Sequence, residues 1–253
     1  MIGIIGGSGV YEIANRAEII ETKEIKTPFG YSSEITILSI GNKNVVFLPR
    51  HTGSHSIPPH KINYAANIWA LKELSVNQII ATNAVGSLDL NIPPGSFVAV
   101  DDFIDFTTNR KKTFYDDKVV HVDVSEPYCN RLREALVSNG NVIDGGVYLC
   151  VDGPRFETPA EIKMFKDIGG DLVGMTGLPE VVLARELEMC YSSICTVSNF
   201  GASISPNKIT MDEVFEIMEV KNNELVDLIF KTISKLPENF DCSCLHSLDG
   251  SGN

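Results

Sequence analysis

The sequence predicts an α/β fold: a single domain with a central mixed β-sheet flanked by helices. Short apolar segments, typical of strands, alternate along the chain with longer segments of helical periodicity. The chain has 253 residues, which fits one large α/β domain better than two. Loops of small residues follow several predicted strands, and ligands bind at such strand ends in an open α/β sheet. We therefore assign residues 1–236 to one domain and residues 237–253 to a polar C-terminal tail, which we expect to be loosely held.

The composition is that of an acidic globular protein. The net charge is −12, the hydrophobic content 43% and the charged content 21%. This acidity argues against nucleic acid and anionic membranes as partners. No apolar run has the length of a membrane span, and the first five residues, MIGII, lack the basic start of a signal peptide. We therefore expect a cytoplasmic protein.

The six cysteines show no CxxC pair, which argues against a zinc site. The four that precede the tail are predicted to be buried free thiols. The two in the tail flank one serine, where they form either a strained, redox-active disulfide or an incidental pair. In chain order the cysteines are Cys129, Cys150, Cys190, Cys195, Cys242 and Cys244.

The first predicted strand, residues 2–5, runs directly into Gly6-Gly7-Ser8-Gly9. Successive main-chain N–H groups in such a turn form a concave nest that suits phosphate. The segment is not a Walker loop, since no Gly-Lys-Ser follows, and its glycine spacing differs from the dinucleotide fingerprint. A phosphate nest and a plain tight turn are both open.

Residues 33–39 and 44–48 predict a hairpin. Its second strand ends in residues 49–55, a loop that contains one arginine, two histidines and hydroxyl side chains. Arg50 offers forked donors for an oxyanion and His51 adds another, while a solvated loop is the alternative. A metal site is a further alternative, with no nearby carboxylate to support it, and its ligands would be His51, His55 and His60.

The next elements complete a set of three small-residue loops. Residues 60–74 predict a helix with Trp69 in the core, and residues 78–82 predict a strand that ends in the segment 82–87. This is the third predicted strand followed by small residues. The loops near residues 8, 50 and 84 can therefore converge on one anion.

The middle of the chain contains a long irregular segment and a run of helices and strands. Residues 102–125 are polar and irregular, as expected for a lid or an interface segment. A helix at 126–138 and a strand at 144–150 follow. Thr158 predicts a helix start, since Glu161 stands three residues later in a capping box, and residues 211–234 predict a long amphipathic helix.

The segment 153–199 contains the most varied set of candidate functional groups: an aromatic ring, a carboxylate, a hydroxyl and an amide. A turn at its start leaves Phe156 and Glu157 in a loop. Because Met175, Thr176 and Asn199 stand where predicted strands end, we expect them on one rim of the sheet.

Together these segments resemble the trimeric nucleoside phosphorylase family, and especially its methylthioadenosine phosphorylase branch. The resemblance covers about residues 2–235. It implies cleavage of a purine nucleoside by phosphate to free base and pentose 1-phosphate, with no metal or organic cofactor, by a homotrimer or a dimer of trimers. The motifs are Gly6-Gly7-Ser8-Gly9, Pro49-Arg50-His51, Asn63-Tyr-Ala-Ala-Asn67, Asn83-Ala-Val-Gly-Ser87, Gly153-Pro-Arg-Phe-Glu-Thr158 and Gly174-Met-Thr-Gly-Leu-Pro-Glu180.

The resemblance also implies roles for individual residues. Phe156 would stack on the purine, Met175 would lie against the ribose, and His121 would reach into the site of a neighbouring subunit. Thermophilic relatives carry disulfides, so the resemblance implies a Cys129–Cys195 bond beside the tail pair. The phosphate ligands would be Ser8, Arg50, His51, Ala84 and Thr176.

Two positions depart from the adenine-cleaving branch, which typically has a serine after the stacking phenylalanine and an aspartate at the strand end. This chain has Glu157 and Asn199 there, as the 6-oxopurine branch does, and we expect both to act in catalysis and base recognition. A carboxylate accepts the N1–H of hypoxanthine or guanine and repels the bare N1 of adenine. The alternatives are a solvated loop acid at 157, an adenine-type methylthio phosphorylase, an inactive purine-binding protein, and a redox or metal protein built on the cysteines.

The start of the 211–234 helix is expected to hold the 5′ group of the nucleoside. By resemblance, Met211 replaces a histidine that binds the 5′ hydroxyl, and Val214 and Phe215 add apolar surface. A buried hydroxyl without a partner loses about 1–3 kcal/mol, so a methylthio group is favoured over it. The alternatives are that these residues are helix core, or that His121 serves a 5′ hydroxyl.

Overall fold

Parallel strands form the centre of the fold. In the computed structural model, which describes residues 1–7, 10–52, 56–206 and 210–252, a mixed sheet of eleven described strands is flanked by helices on both faces. The strands are β1 (Ile2–Gly6), β2 (Glu18–Lys23), β3 (Lys26–Thr27), β4 (Gly30–Tyr31), β5 (Ile35–Ile40), β6 (Lys43–Pro49), β7 (Gln78–Ser87), β8 (Phe97–Ala99), β9 (Asp102–Asp105), β10 (Val142–Asp144), β11 (Val147–Cys150), β12 (Leu172–Gly174) and β13 (Cys190–Phe200). The helices are α1 (Tyr64–Glu73), α2 (Asn130–Asn139), α3 (Pro159–Asp167), α4 (Glu180–Glu186) and α5 (Met211–Lys235). The predicted α/β class and the mixed sheet are confirmed.

The sheet order is β10-β8-β13-β7-β1-β6-β5-β2. Within it β13, β7, β1 and β6 are mutually parallel, so their carboxyl ends point to the same edge. β12 pairs antiparallel with the far end of β7 and continues into β11 and β9. The strands β12, β11 and β9 therefore form a branch that leaves the main strand order beside the carboxyl end of β7.

Alternate residues of each strand point to two apolar layers. Ile5 belongs to the layer that α1 and α4 cover, whereas its neighbour Ile4 belongs to the layer under α2 and α5. The same alternation separates two cysteines of β13, because Cys195 lies in the first layer and Cys190 in the second. Cys129 also lies in the second layer. The expected Cys129–Cys195 bond is therefore wrong, since the sheet stands between these thiols, and both are free.

Several predicted boundaries change for identifiable reasons. β7 continues to Ser87 instead of ending near 82, because β13 pairs with it over almost its entire length. α1 begins only at Tyr64: Asn63 caps it by accepting from the main-chain N–H of Ala66 at 3.1 Å. The capping box of α3 forms as predicted, with Thr158 and Glu161 bonded in both directions.

The segment 102–125 begins with β9 and is otherwise irregular. It is attached to the body through buried groups. Arg110 donates to the carbonyl oxygens of Val151 and Asp152 at 3.3 and 3.2 Å, and the main-chain N–H of Phe114 donates to the Glu186 carboxylate at 2.8 Å. These bonds hold the segment against the body of the domain, beside α4.

The tail packs on the body, contrary to the expectation of a loosely held end. Cys244 and Ser247 are buried at 3% and 6% exposure, and a short 3₁₀ helix covers Ser243–His246. The Ser247 hydroxyl donates to the carbonyl oxygen of Arg185 at 2.6 Å. Among the described helices, none combines the length and apolar character needed to cross a bilayer.

Candidate active site

A cavity of about 350 Å³ opens where β1, β6, β12 and β13 end. Its volume is typical of small-ligand sites. The amino end of α5 and the loop before α3 close its other sides. Most of the predicted site residues line it, namely Arg50, His51, Ala84, Phe156, Glu157, Met175, Thr176, Asn199, Met211 and Val214.

Two predicted site residues that the structure describes, Phe215 and His121, do not line the cavity. Phe215 is 54% exposed, one helical turn beyond Met211, which is itself 48% exposed at the mouth. His121 lies on the surface, where its main-chain N–H donates to Ser251 at 2.8 Å. The predictions for Ser8 and His55 fall outside the described residues.

We call the part of the cavity lined by Arg50, His51, Ala84 and Thr176 the Arg50 half. Arg50 follows β6 and is completely buried. Its Nε and NH2 donate to the two carboxylate oxygens of Glu180 at 2.8 and 2.6 Å, and its NH1 donates to the carbonyl oxygen of Thr82 at 2.8 Å. A guanidinium has five N–H donors, so this arrangement fixes the plane of the group and leaves N–H capacity for an anion.

Glu180, the first residue of α4, is a functional residue that the sequence reasoning missed. Its side chain is fully buried and also accepts from the Tyr191 hydroxyl at 2.7 Å. Burial opposes the charge of Arg50, but Glu180 outweighs it and raises the pKa of the guanidinium above its ordinary value. Glu180 was visible as the last residue of a long motif, and the physical signal was that a buried arginine requires a carboxylate partner.

The turn after β1 packs closely against Arg50. A Cβ on Gly7 would come within 2.9 Å of the Arg50 NH1 and 2.8 Å of the Thr82 carbonyl oxygen. Glycine is therefore required here for the approach of the two loops. The Gly7 N–H donates to the Thr82 hydroxyl at 2.9 Å, and His51 Nδ1 lies 2.8 Å from the carbonyl oxygen of Ile57, to which it donates.

A chain of buried polar groups orients Thr176. The Asn83 amide donates to the Thr176 hydroxyl oxygen at 2.7 Å, and the Asn83 carbonyl accepts from the Ser193 hydroxyl at 2.7 Å. Because the Asn83 N–H occupies an acceptor position of Thr176, the hydroxyl proton of Thr176 is available to the cavity. The Tyr148 hydroxyl accepts from the main-chain N–H of Thr176 at 3.2 Å and fixes the turn.

We call the part lined by Phe156, Glu157 and Asn199 the Phe156 half. Phe156 and Glu157 are half-buried in the loop that precedes α3. Burial raises the pKa of the Glu157 carboxyl above its ordinary value. The neighbouring Arg155 does not neutralise it, because Arg155 forms a paired contact with Glu161 at 2.8 and 2.7 Å.

Asn199 is turned towards the cavity by a bulge in β13 between Val197 and Asn199. Its Nδ2 donates to the carbonyl oxygen of Phe200 at 2.8 Å, and its Oδ1 accepts from the Ser198 hydroxyl at 2.8 Å. A carbonyl oxygen can only accept, so this pairing defines which end of the amide is the NH2 group. The second N–H of that group is left for a ligand.

Apolar residues complete the wall between and beyond the two halves. Gly153 has φ +66°, and a Cβ there would come within 2.4 Å of the Met175 sulfur, so Met175 needs glycine beside it. Val214 is buried at 8% exposure, and Ile57, Pro58 and Met211 line the same side. The cavity thus combines anion donors, an aromatic face with a carboxylate and an amide, and an apolar end.

The family comparison agrees with this geometry. The model of the phosphorylase superfamily matches residues 1–234. The chain belongs to the phosphorylase superfamily. The phosphorylase family, fold and enzyme class predicted from the sequence are thereby confirmed.

Individual phosphorylases are similar over almost the whole chain. The chain is 58% identical to "Probable S-methyl-5'-thioinosine phosphorylase" of Methanothermobacter thermautotrophicus, covering 99% of this chain and 90% of that protein. It is 47% identical to "6-oxopurine nucleoside phosphorylase" of Pyrococcus furiosus, covering 99% and 98%. The solved structure of methylthioadenosine phosphorylase from Schistosoma mansoni in complex with adenine has a TM-score of 0.93 and 32% identity, covering 99% of this chain and 98% of that chain.

Proposed function

We propose that this phosphorylase cleaves 6-oxopurine nucleosides with inorganic phosphate, releasing the free base and a pentose 1-phosphate, and that it prefers S-methyl-5'-thioinosine to inosine. One observation carries the proposal: Arg50, which Glu180 holds in place, lines the same cavity as Phe156, Glu157 and Asn199. The names of the relatives at 58% and 47% identity support the same activity.

The Arg50 half is the proposed phosphate site. The free N–H capacity of Arg50, the hydroxyl of Thr176 and the main chain around Ala84 would bind the phosphate oxygens. His51 would add a contact from its side of the cavity. Phosphate held there would face the sugar carbon that is attacked, with no metal or organic cofactor involved.

The Phe156 half is the proposed base site. Phe156 would stack on the purine and the Glu157 carboxylate would accept N1–H. The free N–H of Asn199 would donate to N7 or O6. Cleavage of the glycosidic bond puts negative charge on the purine, and one fixed donor aimed at developing charge contributes about 3–4 kcal/mol. Asn199 therefore acts on the leaving group while Glu157 selects it.

The apolar end beside α5 is the proposed site of the 5′ group, with Met175 against the ribose. Met211 and Val214 supply a thioether and a methyl surface. A methylthio group gains roughly 25 cal/mol per Å² of apolar surface removed from water, which a hydroxyl does not. Phe215 stands outside this wall and would act only at the mouth.

The proposed assembly is a homotrimer, or a dimer of trimers, in a cytoplasmic enzyme. Its support is the family resemblance, which implies that His121 reaches a neighbour's site, and the position of His121 on the surface of the chain. Sedimentation equilibrium should give three or six chains of 27.7 kDa. A monomer with full activity would refute this part of the proposal.

Base release from a panel of nucleosides tests the activity. Inosine, guanosine, adenosine, S-methyl-5'-thioinosine and S-methyl-5'-thioadenosine are each incubated with the protein, with and without phosphate. We expect phosphate-dependent release of 6-oxopurines, fastest from the methylthio substrate. Binding without turnover would indicate an inactive purine-binding protein, and preference for adenine nucleosides would overturn the roles of Glu157 and Asn199.

Thr176→Val and Thr176→Ser form a matched pair for the phosphate site. The valine variant keeps the shape and loses the hydroxyl, whereas the serine variant keeps the hydroxyl. We expect kcat/KM for phosphate to fall by about 10²-fold in the valine variant and to recover largely in the serine variant. Equal values in both variants would remove Thr176 from the phosphate site.

A further inference from the structure

Four cysteine sulfur atoms meet in the apolar layer under α2 and α5, outside the active-site cavity. All four atoms lie within 4.8 Å of one another. Three of these residues are buried and one is partly exposed. We call this group the thiol cluster, and its members are Cys129, Cys190, Cys242 and Cys244.

Three separate parts of the chain build the thiol cluster. Cys129 immediately precedes α2, and its main-chain N–H donates to Tyr191 at 2.8 Å. Cys190 is the first residue of β13, and its N–H donates to Asn77 at 3.0 Å. Cys242 and Cys244 come from the tail and meet the other two only in the fold. These main-chain bonds position Cys129 and Cys190 without any contribution from the tail.

The distance between Cys129 Sγ and Cys242 Sγ fits two ligands of a shared ion better than a disulfide. Cys129 Sγ and Cys242 Sγ are 3.7 Å apart, whereas a disulfide bond measures about 2.05 Å. A tetrahedral zinc ion with Zn–S bonds of about 2.3 Å holds its sulfur ligands about 3.8 Å from one another. Four sulfur atoms within 4.8 Å of one another can pair in more than one way, whereas together they supply a complete zinc ligand set.

Arg185 provides a positive charge beside the thiol cluster. Its NH1 lies 3.5 Å from Cys244 Sγ, and its side chain is buried at 5% exposure. Its Nε and NH2 donate to the carbonyl oxygen of Asp123 at 3.2 and 2.9 Å, so its position is fixed. A buried guanidinium needs negative charge nearby, and N–H donors in contact with ligand sulfur are typical of metal–thiolate sites.

We propose that Cys129, Cys190, Cys242 and Cys244 form a tetrathiolate site for a structural zinc ion. On binding, the four thiols lose their protons to solvent and form four Zn–S bonds, which gives a site with a net charge of −2. Arg185 offsets part of that charge through its contact with Cys244. The lack of CxxC pairs in the sequence argued against a zinc site. That argument fails here because the ligands are two single cysteines and one Cys-x-Cys segment.

The site anchors the tail and takes no part in the reaction. Cys190 and Asn199 lie near opposite ends of β13, and nine steps of about 3.3 Å place them roughly 30 Å apart. The ion joins the tail to α2 and β13, which otherwise meet it through apolar contacts and through the stacking of Arg131 on the Phe240 ring. Loss of the ion should therefore release the tail and lower thermal stability without altering substrate choice.

Metal binding by the full-length protein tests the proposal. The protein is purified under reducing conditions, and its zinc is measured by elemental analysis before and after replacement with Co²⁺. We expect one equivalent of zinc per chain, and with cobalt the thiolate-to-metal charge-transfer absorption and intense visible bands of a tetrahedral site. Removing zinc with a strong chelator should lower the melting temperature.

Cys242→Ser and Cys195→Ser are the matched variants. Cys242 is only partly buried, so its variant should fold, and its affinity for zinc should fall by more than roughly tenfold in a chelator competition. Cys195 lies across the sheet, and its variant should bind zinc like the parent. Cys190→Ser provides a second ligand variant with the same expected loss.

Three results would overturn the site. The first is a cobalt spectrum without thiolate charge-transfer bands in the parent protein. The second is equal zinc affinity in the parent and Cys242→Ser proteins. The third is a disulfide among the four cysteines in protein kept under reducing conditions, detected by thiol titration after unfolding.

Discussion

In the Arg50 half of the cavity, the charged group is fully buried and each of its three nitrogens donates to a protein oxygen. In the Phe156 half, the carboxylate of Glu157 is half-buried and burial alone dominates the shift of its pKa. The first arrangement is preorganised before any ligand arrives, while the second completes its hydrogen bonds with the ligand. A group that the protein already holds in position can bind the substrate that all reactions share, whereas a group that waits for a partner can discriminate between substrates.

The largest effect should follow from removing the preorganised pair. In Arg50→Met/Glu180→Met, two apolar side chains replace the buried ions, a change that is often neutral or favourable for stability. We expect the melting temperature to stay near the parent value while phosphate-dependent turnover falls by at least 10³-fold. The measurement combines thermal unfolding with single-turnover base release.

The single variant Arg50→Met is the control for this pair. It leaves Glu180 charged, buried and without its cation, which costs about 3–5 kcal/mol of stability. We expect it to be both inactive and far less stable than the double variant. Wild-type phosphate kinetics in either variant would contradict the assignment of the Arg50 half.

The next largest effect concerns the choice of base by the Phe156 half. Asn199→Asp replaces an N–H donor by a carboxylate that can accept from the exocyclic amine of adenine. We expect the ratio of kcat/KM for inosine to that for adenosine to fall by about 10²-fold or more, since sites built on buried hydrogen bonds discriminate by up to roughly 10⁴–10⁵. KM for phosphate should change little. If KM for phosphate rises strongly while the inosine-to-adenosine ratio of kcat/KM stays the same, then Asn199 acts on phosphate and the Phe156 half does not choose the base.

Glu157 should make kcat/KM for inosine depend on pH. Because burial raises its pKa, the carboxylate that accepts N1–H is lost at a higher pH than for an exposed glutamate. We expect kcat/KM for inosine to decline on acidification through that raised pKa, and this decline to be absent in Glu157→Gln. Stability should move the other way: ionisation penalises the folded state, so the glutamine variant should be the more stable at neutral pH and the two should converge below the ordinary pKa.

The smallest effect concerns the apolar end. Met211→His places a donor where the 5′ group is expected, so we expect the preference for S-methyl-5'-thioinosine over inosine to fall by about tenfold. Val220→His on the exposed face of the same helix, where Val220 is 71% exposed, is the matched control and should leave the ratio unchanged. An equal shift in both variants would show an effect of the helix and not of the pocket.

Much of the cavity was predictable because its residues stand in short segments at strand ends. Arg50, Thr176 and Asn199 each follow or end a strand, and parallel strands carry such positions to one edge. The same reasoning did not find Glu180, whose role depends on a contact 130 positions away along the chain. Local patterns show which groups are available, whereas the pairing of buried groups is decided by three-dimensional packing.

For the Cys129–Cys195 bond and the tail, by contrast, the expectations were wrong. Cys129 and Cys195 looked suitable for a bond by resemblance, but the alternation of side chains along β13 puts the sheet between them. The tail was expected to be loosely held because it is polar, although Cys244 and Ser247 are buried against the body. In both cases the outcome depends on which face of the sheet a distant segment packs against, and composition does not encode that choice.

The helix α5 is packed more firmly at its carboxyl end than at its amino end, and this difference affects how ligands enter and leave the cavity. Most of its buried residues lie in its second half, from Leu225 to Ile233, and Lys43 donates to the carbonyl oxygen of Ile233 at 2.8 Å. Its first residue, Met211, is half-exposed at the cavity mouth. A helix held firmly at one end can tilt at the other at low cost. Entry of the nucleoside and departure of the sugar phosphate should therefore take place on the α5 side, at rates set by the attachment of that helix and not by the Arg50 half.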